Sequence, residues 1–164
     1  HEWAGIKPDV LATAKALGGG FPVGALLATE KAAVGMKFGT HGSTFGGNPL
    51  AMAVGNAVLD VMLAPGFLEH VVEMGALLHR RMAMAVAKHP RVLAEVRGKG
   101  LLAGLRCAIE NGKVIEALFR HGLLVVGAAD NVIRLLPPLI VEDKQIDEAM
   151  EKLELACQEL EKAA

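Results

Sequence analysis

Pro8-Asp-Val-Leu-Ala-Thr-Ala-Lys-Ala-Leu-Gly-Gly-Gly-Phe-Pro-Val-Gly24 decides how the chain is read. One lysine, Lys15, stands between a short apolar run and three consecutive glycines. Val10, Leu11 and Ala12 read as a buried strand or strand end, bounded by Pro8 upstream and by Gly18, Gly19 and Gly20 downstream. A strand that stops at a glycine-rich turn delivers the next side chains to the edge of a sheet, where open α/β folds keep their ligands. Glycines lack Cβ, so backbone there can approach something flat or bulky. A lysine held partly out of water has its ammonium form disfavoured, and its amine becomes a nucleophile toward a carbonyl. The stretch points to a Schiff-base lysine, although on spacing alone a solvated surface lysine is the commoner meaning.

Outward from this turn, Gly24 to Ala28 reads as a strand buried on both faces, and Lys31 to Met36 as one or two helical turns. Lys37 to Gly47 is a loop of Gly, Thr, His and Ser. Asn48 and Pro49 open a helix with good start chemistry, which runs to about Leu63 and whose small residues predict burial. Phe67 to Lys88 is a long helix with Leu68, Val71/Val72, Gly75, Leu78, Met82 and Ala85 on one face, ended by His89-Pro90. Leu101 to Cys107 alternates as a strand. A short helix starts at Asn111-Gly112 and stops at Gly122. Leu123 to Val126 and Val132 to Leu136 are two further strands about a turn at Asp130-Asn131. The last helix begins near Glu142 and carries the stripe Ile146, Met150, Leu153, Cys157, Leu160. Residues 1 to 60 thus finish a larger α/β domain, and 61 to 164 make a small α+β domain.

The 164 residues are 52% hydrophobic but only 4% aromatic, which suits a chain that hides surface in a domain or subunit contact. No run of eighteen apolar residues occurs, so no membrane span is read. A net charge of -1 without a basic cluster argues against nucleic acid. Cys107 and Cys157 are isolated and read as core thiols of a reducing cytoplasm. His1-Glu-Trp-Ala-Gly-Ile6 carries no signal pattern and reads as the middle of a domain.

Three further positions invite chemistry. Thr44, with Ser43 beside it, lies in a Gly-Ser-Thr-Phe-Gly-Gly loop leading to a helix start. Hydroxyls and free amides there suit a phosphate, and equally an internal turn. Arg134 interrupts the apolar run Val132-Ile-Arg-Leu-Leu136. It either sits harmlessly on an edge strand or awaits an anion such as a carboxylate. Gly98-Lys-Gly-Leu-Leu-Ala103 fits a loose dinucleotide pattern but runs into a strand, so that mechanism fails. The six histidines have no metal-ligand spacing.

The lysine stretch, His41-Gly-Ser-Thr-Phe-Gly-Gly-Asn-Pro-Leu-Ala51 and Asn131-Val-Ile-Arg-Leu-Leu-Pro-Pro-Leu139 resemble, in order, three blocks of the class III pyridoxal-phosphate aminotransferases. The nearest likeness is to the acetylornithine aminotransferase branch. The resemblance implies the C-terminal part of a fold-type I transferase, with pyridoxal 5'-phosphate as cofactor and Lys15 as the lysine that bears it. It implies that Thr44, with Ser43 a weaker candidate, binds the cofactor phosphate of a neighbouring subunit in a homodimer whose active site spans the interface. Arg134 would hold the substrate α-carboxylate. Substrates would be amino and 2-oxo acids: glutamate and 2-oxoglutarate, with an acetylornithine-like ω-amine, in arginine biosynthesis. Asp9 is not the family's pyridine-nitrogen aspartate, which would lie upstream with the ring-stacking aromatic. An ornithine, succinylornithine or 4-aminobutyrate aminotransferase would keep the same blocks. A catalytically silent fragment that self-associates through its apolar faces is the reading from another class.

Overall fold

A computed structural model of the chain describes residues 1–162 and divides into two compact units, His1–Phe67 and from Leu68 onward. In the first unit, strand β1 (Val10–Thr13) pairs antiparallel with β2 (Ala25–Ala28), Leu11 facing Leu27. Between them Lys15–Gly18 forms a 3-10 turn. Two helices follow, the short α1 (Glu30–Ala33) and α2 (Pro49–Met62). Both are capped as their sequences dictate: Thr29 Oγ1 accepts from the Ala32 amide at 3.3 Å, and Asn48 Oδ1 accepts from Ala51 at 2.9 Å.

Three expectations of burial fail in this unit. β2 is exposed along its whole length, with Leu26 at 66% and Leu27 at 56% exposure. β1 is at most half-buried. In α2 only Ala51 is buried. A two-stranded ribbon has two faces, and within this unit no layer of structure covers either, so strand chemistry is present without a core around it. The high apolar content therefore appears as exposed Trp3, Phe38, Phe45 and Leu63.

The second unit encloses the core. Helix α3 (Phe67–Lys88) leads into a four-stranded antiparallel sheet of β3 (Leu93–Lys99), β4 (Leu102–Cys107), β5 (Val126–Ala128) and β6 (Val132–Leu135), in the order β3-β4-β6-β5. Helices α4 (Asn111–Arg120) and α5 (Asp143–Lys162) complete it. Met74, Leu78 and Met82 of α3, Leu93, Leu105 and Ile133 of the sheet, Val114 and Leu118 of α4, and Ile146, Leu153 and Cys157 of α5 share one buried cluster. On α3 the stripe is narrower than the sequence suggests: Leu68 and Val72 are exposed, and Met74 takes a core place instead.

The Gly98–Ala103 segment, which only superficially matches a dinucleotide motif, is the β3–β4 hairpin. A Cβ on Gly98 (φ +102°) would lie 2.1 Å from the Leu102 carbonyl oxygen, so the tight pairing needs glycine. The turn also seats against α3, because a Cβ on Gly75 would lie 2.9 Å from Gly100 Cα, and the His79 ring bonds the Gly100 carbonyl at 3.0 Å.

Asp130 and Asn131 both take left-handed backbone (φ +59° and +60°), making the β5–β6 turn. Asn131 then braces its surroundings: Nδ2 donates to Cys107 O (2.9 Å) and Ile109 O (2.6 Å), and Oδ1 accepts from the Asn111 amide (2.8 Å).

Candidate functional site

Lys15 opens the 3-10 turn at the end of β1. Ala14 before it is fully extended (φ -158°), and Lys15 itself takes φ +55°. A side chain in left-handed backbone costs on the order of 1–2 kcal/mol, and such residues collect where geometry at a site is over-determined. The side chain is exposed, not partly withdrawn from water as its sequence context suggests. The reason is the open ribbon around it, whose uncovered faces supply no desolvating wall.

The glycines behind Lys15 serve the chain's own packing. A Cβ on Gly18 would sit 2.7 Å from Val23 Cγ1, and one on Gly19 (φ +56°) would sit 3.0 Å from Val58 Cγ2 of α2. The turn bearing Lys15 is thereby pinned on α2. Gly20 (φ +110°) has nothing within 4 Å, so clear space borders the turn on that side.

Ser43 and Thr44 lie in an exposed loop ahead of α2. Ser43 Oγ accepts from the Gly46 amide at 2.9 Å, a local hydroxyl turn that leaves its own O–H to donate. Thr44 is exposed beside it, between Ser43 and the exposed Phe45. The α2 N-terminus is partly satisfied, since Asn48 takes the Ala51 amide and Pro49 has none to offer. No hydrogen bond among the described residues joins Lys15 to Ser43 or Thr44.

Arg134 belongs to the second unit. It lies on β6, which pairs with β4 on one side and β5 on the other, so the edge-strand explanation does not hold. Across the sheet the row runs Arg97, Gly104, Arg134, Val126, all on the face opposite the helices. Arg134 is half-buried, and its Nε is buried with no hydrogen-bond partner among the described residues. Buried donors are nearly always paired, so this orphan asks for an acceptor.

The acids on that face are already taken. Arg97 donates through Nε to Glu95 Oε2 (3.3 Å) and through Nη1 to Asp130 Oδ2 (3.2 Å), and Arg106 Nε donates to the same Glu95 oxygen (3.2 Å). Glu95, Arg97 and Arg106 were not singled out from sequence. The signal that could find them is charge at alternate positions, Glu95-x-Arg97 beside Gly104-x-Arg106, once the strands are paired.

Elsewhere the molecule offers little chemistry. A cleft lined by Leu78, Leu123, Leu135, Pro137, Val141 and Ile146 has no titratable side chain on its walls. Burial pushes the Cys107 thiol up to about 11 and that of Cys157 to about 12, so neither is a nucleophile. Among the described residues no group of three or more His, Cys, Asp or Glu is placed to hold a metal ion. Among the described residues no single helix is long and apolar enough to cross a membrane.

Comparison with known proteins adds an independent line. A family profile described as aminotransferase class-III matches residues 1–157. The chain is 54% identical over 160 residues to the acetylornithine aminotransferase of Brucella melitensis, spanning 98% of this chain and 40% of that protein. It is 57% identical over 153 residues to that of Mesorhizobium japonicum, 93% of this chain and 38% of the relative. Among solved structures, the acetylornithine aminotransferase of Elizabethkingia anophelis superposes with TM-score 0.86 at 35% identity, covering 96% of this chain and 43% of that one. Ornithine δ-aminotransferase of Plasmodium falciparum gives TM-score 0.89 at 31% identity, covering 99% and 43%. The chain therefore spans about 40% of the length of the curated relatives it matches.

Proposed function

The chain belongs to the class-III aminotransferases, and from that premise we propose that it is the C-terminal part of a pyridoxal-phosphate-dependent transaminase acting on an acetylornithine-like ω-amine and 2-oxoglutarate. The observation that carries this reading is Lys15 in strained left-handed backbone (φ +55°), on a turn pinned by Gly18 and Gly19 beside open space at Gly20. A catalytic amine needs a fixed direction more than it needs a comfortable backbone.

The residues present fit the cofactor and its substrates. Arg134 has a buried donor without an acceptor, which suits a bidentate hold on a substrate α-carboxylate. Ser43 keeps a free O–H and Thr44 an exposed hydroxyl, which suits the cofactor phosphate of a partner subunit. Exposed Phe38 and Phe45 in the same loop support an interface there, with the active site shared by a homodimer.

Pyridoxal phosphate, when bound, supplies an aldehyde for the amine and a ring that spreads negative charge from the substrate Cα. Lys15 Nζ would provide the amine, and in its free form would take the proton from the substrate Cα as general base and, as acid, give it to the carbon that the aldehyde supplies. Arg134 fixes the carboxylate so that the Cα–H stays within reach. The whole enzyme is a cytoplasmic step of arginine biosynthesis on this reading. In it, Lys15→Ala abolishes amino transfer from N-acetylornithine to 2-oxoglutarate while the circular dichroism spectrum is kept. Wild-type-like turnover in that variant would remove Lys15 from its role.

A further inference from the structure

His89 ends α3, and Pro90 prevents the helix from continuing. It is 3% exposed, the one buried residue with an ionisable side chain other than the two thiols among the described residues. Its Nε2 lies 2.8 Å from Glu154 Oε2 and its Nδ1 3.1 Å from Glu161 Oε2, both carboxylates on α5.

The ring has an acid at each end. An ionised carboxylate only accepts, and a neutral imidazole has a single N–H. A neutral ring would therefore leave one bare nitrogen facing a carboxylate oxygen, two lone pairs opposed in a water-poor site. A proton on Glu154 would pair with that nitrogen, but only by protonating a carboxyl that its other contacts keep ionised. Glu154 Oε1 already accepts from Lys88 Nζ (2.6 Å) and Gln158 Nε2 (2.6 Å). Those contacts, with His89, hold its carboxyl at about 2. Glu161 Oε1 faces Arg91 Nε at 3.9 Å. A metal ion is no substitute, because the two ring nitrogens point in opposite directions and one ion cannot bind both.

We propose that His89 is a standing imidazolium at neutral pH, a buried charged rivet that fastens the corner between α3 and β3 to α5 and lets go as the solution turns alkaline. The corner matters to the unit because the His89 carbonyl accepts from the Val92 (3.0 Å) and Leu93 (2.9 Å) amides, and both of those side chains are in the core. The position also favours a cation, since helix C-termini carry partial negative charge.

Every charged or titratable neighbour has a stated part. Lys88 and Arg91 on the corner bear positive charge, while Glu154 and Glu161 on α5 bear negative, and Cys157 between them stays a neutral thiol. With His89 charged, three cations meet two anions. Withdrawal from water lowers the imidazole pKa, but the hydrogen bonds to Glu154 and then Glu161 outweigh it, so the net movement is up from 6.5.

The sign of the pH dependence follows. A raised folded pKa gives stability that is full below the unfolded value of 6.5 and is lost as pH climbs through the folded value. Glu154 does the reverse: its share is full above 4.5 and lost as pH falls toward about 2. The rivet is tightest between the two.

The test is nitrogen NMR of the whole chain carrying labelled histidine. At about pH 7.5, where an ordinary imidazole has lost a proton, both His89 ring nitrogens should read as protonated. A wild-type spectrum with one bare nitrogen on His89 overturns the proposal without need of any variant. Glu161→Gln keeps the acceptor and removes its charge, so the His89 titration should move to lower pH. A titration that stays put also overturns it.

Discussion

Replacing Arg134 by methionine removes the guanidinium and keeps an unbranched stem in the sheet row beside Gly104 and Val126. Ordinary reasoning expects loss of a half-buried side chain to weaken the fold. Here the Nε donor is buried and unpaired. An unsatisfied buried donor costs about 1–3 kcal/mol, and removing it returns that cost. Because the side chain is only half-buried, the low end applies, a gain of about 1 kcal/mol, which for a domain near one hundred residues raises Tm by about 4–8 °C. Urea unfolding of the wild type and Arg134→Met, followed by circular dichroism, measures it. Adding 2-oxoglutarate at about ten times its Kd should stabilise the wild type by about 1.4 kcal/mol and leave the variant unmoved. A variant that is less stable by about 1 kcal/mol or more would mean that the guanidinium serves the fold and is not waiting for an anion.

Gly98→Ala in the β3–β4 hairpin brings a Cβ within 2.1 Å of the Leu102 oxygen at φ +102°, so it should lower unfolding free energy by on the order of 3 kcal/mol or more, read from the urea midpoint. Glu154→Gln should flatten the acid limb of the stability profile, because the carboxyl held at about 2 no longer has to be protonated as pH falls below 4.5. Cys107 and Cys157, with thiols at about 11 and 12, should resist a thiol reagent at neutral pH in the native chain and react fully in urea.

Local punctuation explains what the sequence made readable. Pro65-Gly66 and His89-Pro90 bound α3 at Phe67 and Lys88, as expected from sequence. Gly122 at φ +74° ends α4. The failures are non-local. β3 escaped notice because a register shift between Leu93 and Glu95 breaks the two-residue period on which a strand is recognised. β5 starts at Val126, not Leu123, because the Leu123 amide is spent on the Leu118 carbonyl at the α4 terminus (2.9 Å) and cannot enter a ladder. Lys15 was legible from its glycines and its resemblance, but its positive φ was not. Arg134 was legible as an anomaly in an apolar run. That its neighbours' acids are occupied by Arg97 and Arg106 depends on sheet register, which no single stretch of sequence displays.

Under the proposed function one amine, that of Lys15, carries the cofactor. Borohydride reduction of the whole enzyme charged with pyridoxal phosphate, followed by peptide mapping, tests that directly. A single pyridoxyl label, on Lys15, is expected. A label on any other lysine, with Lys15 unmodified, would contradict it.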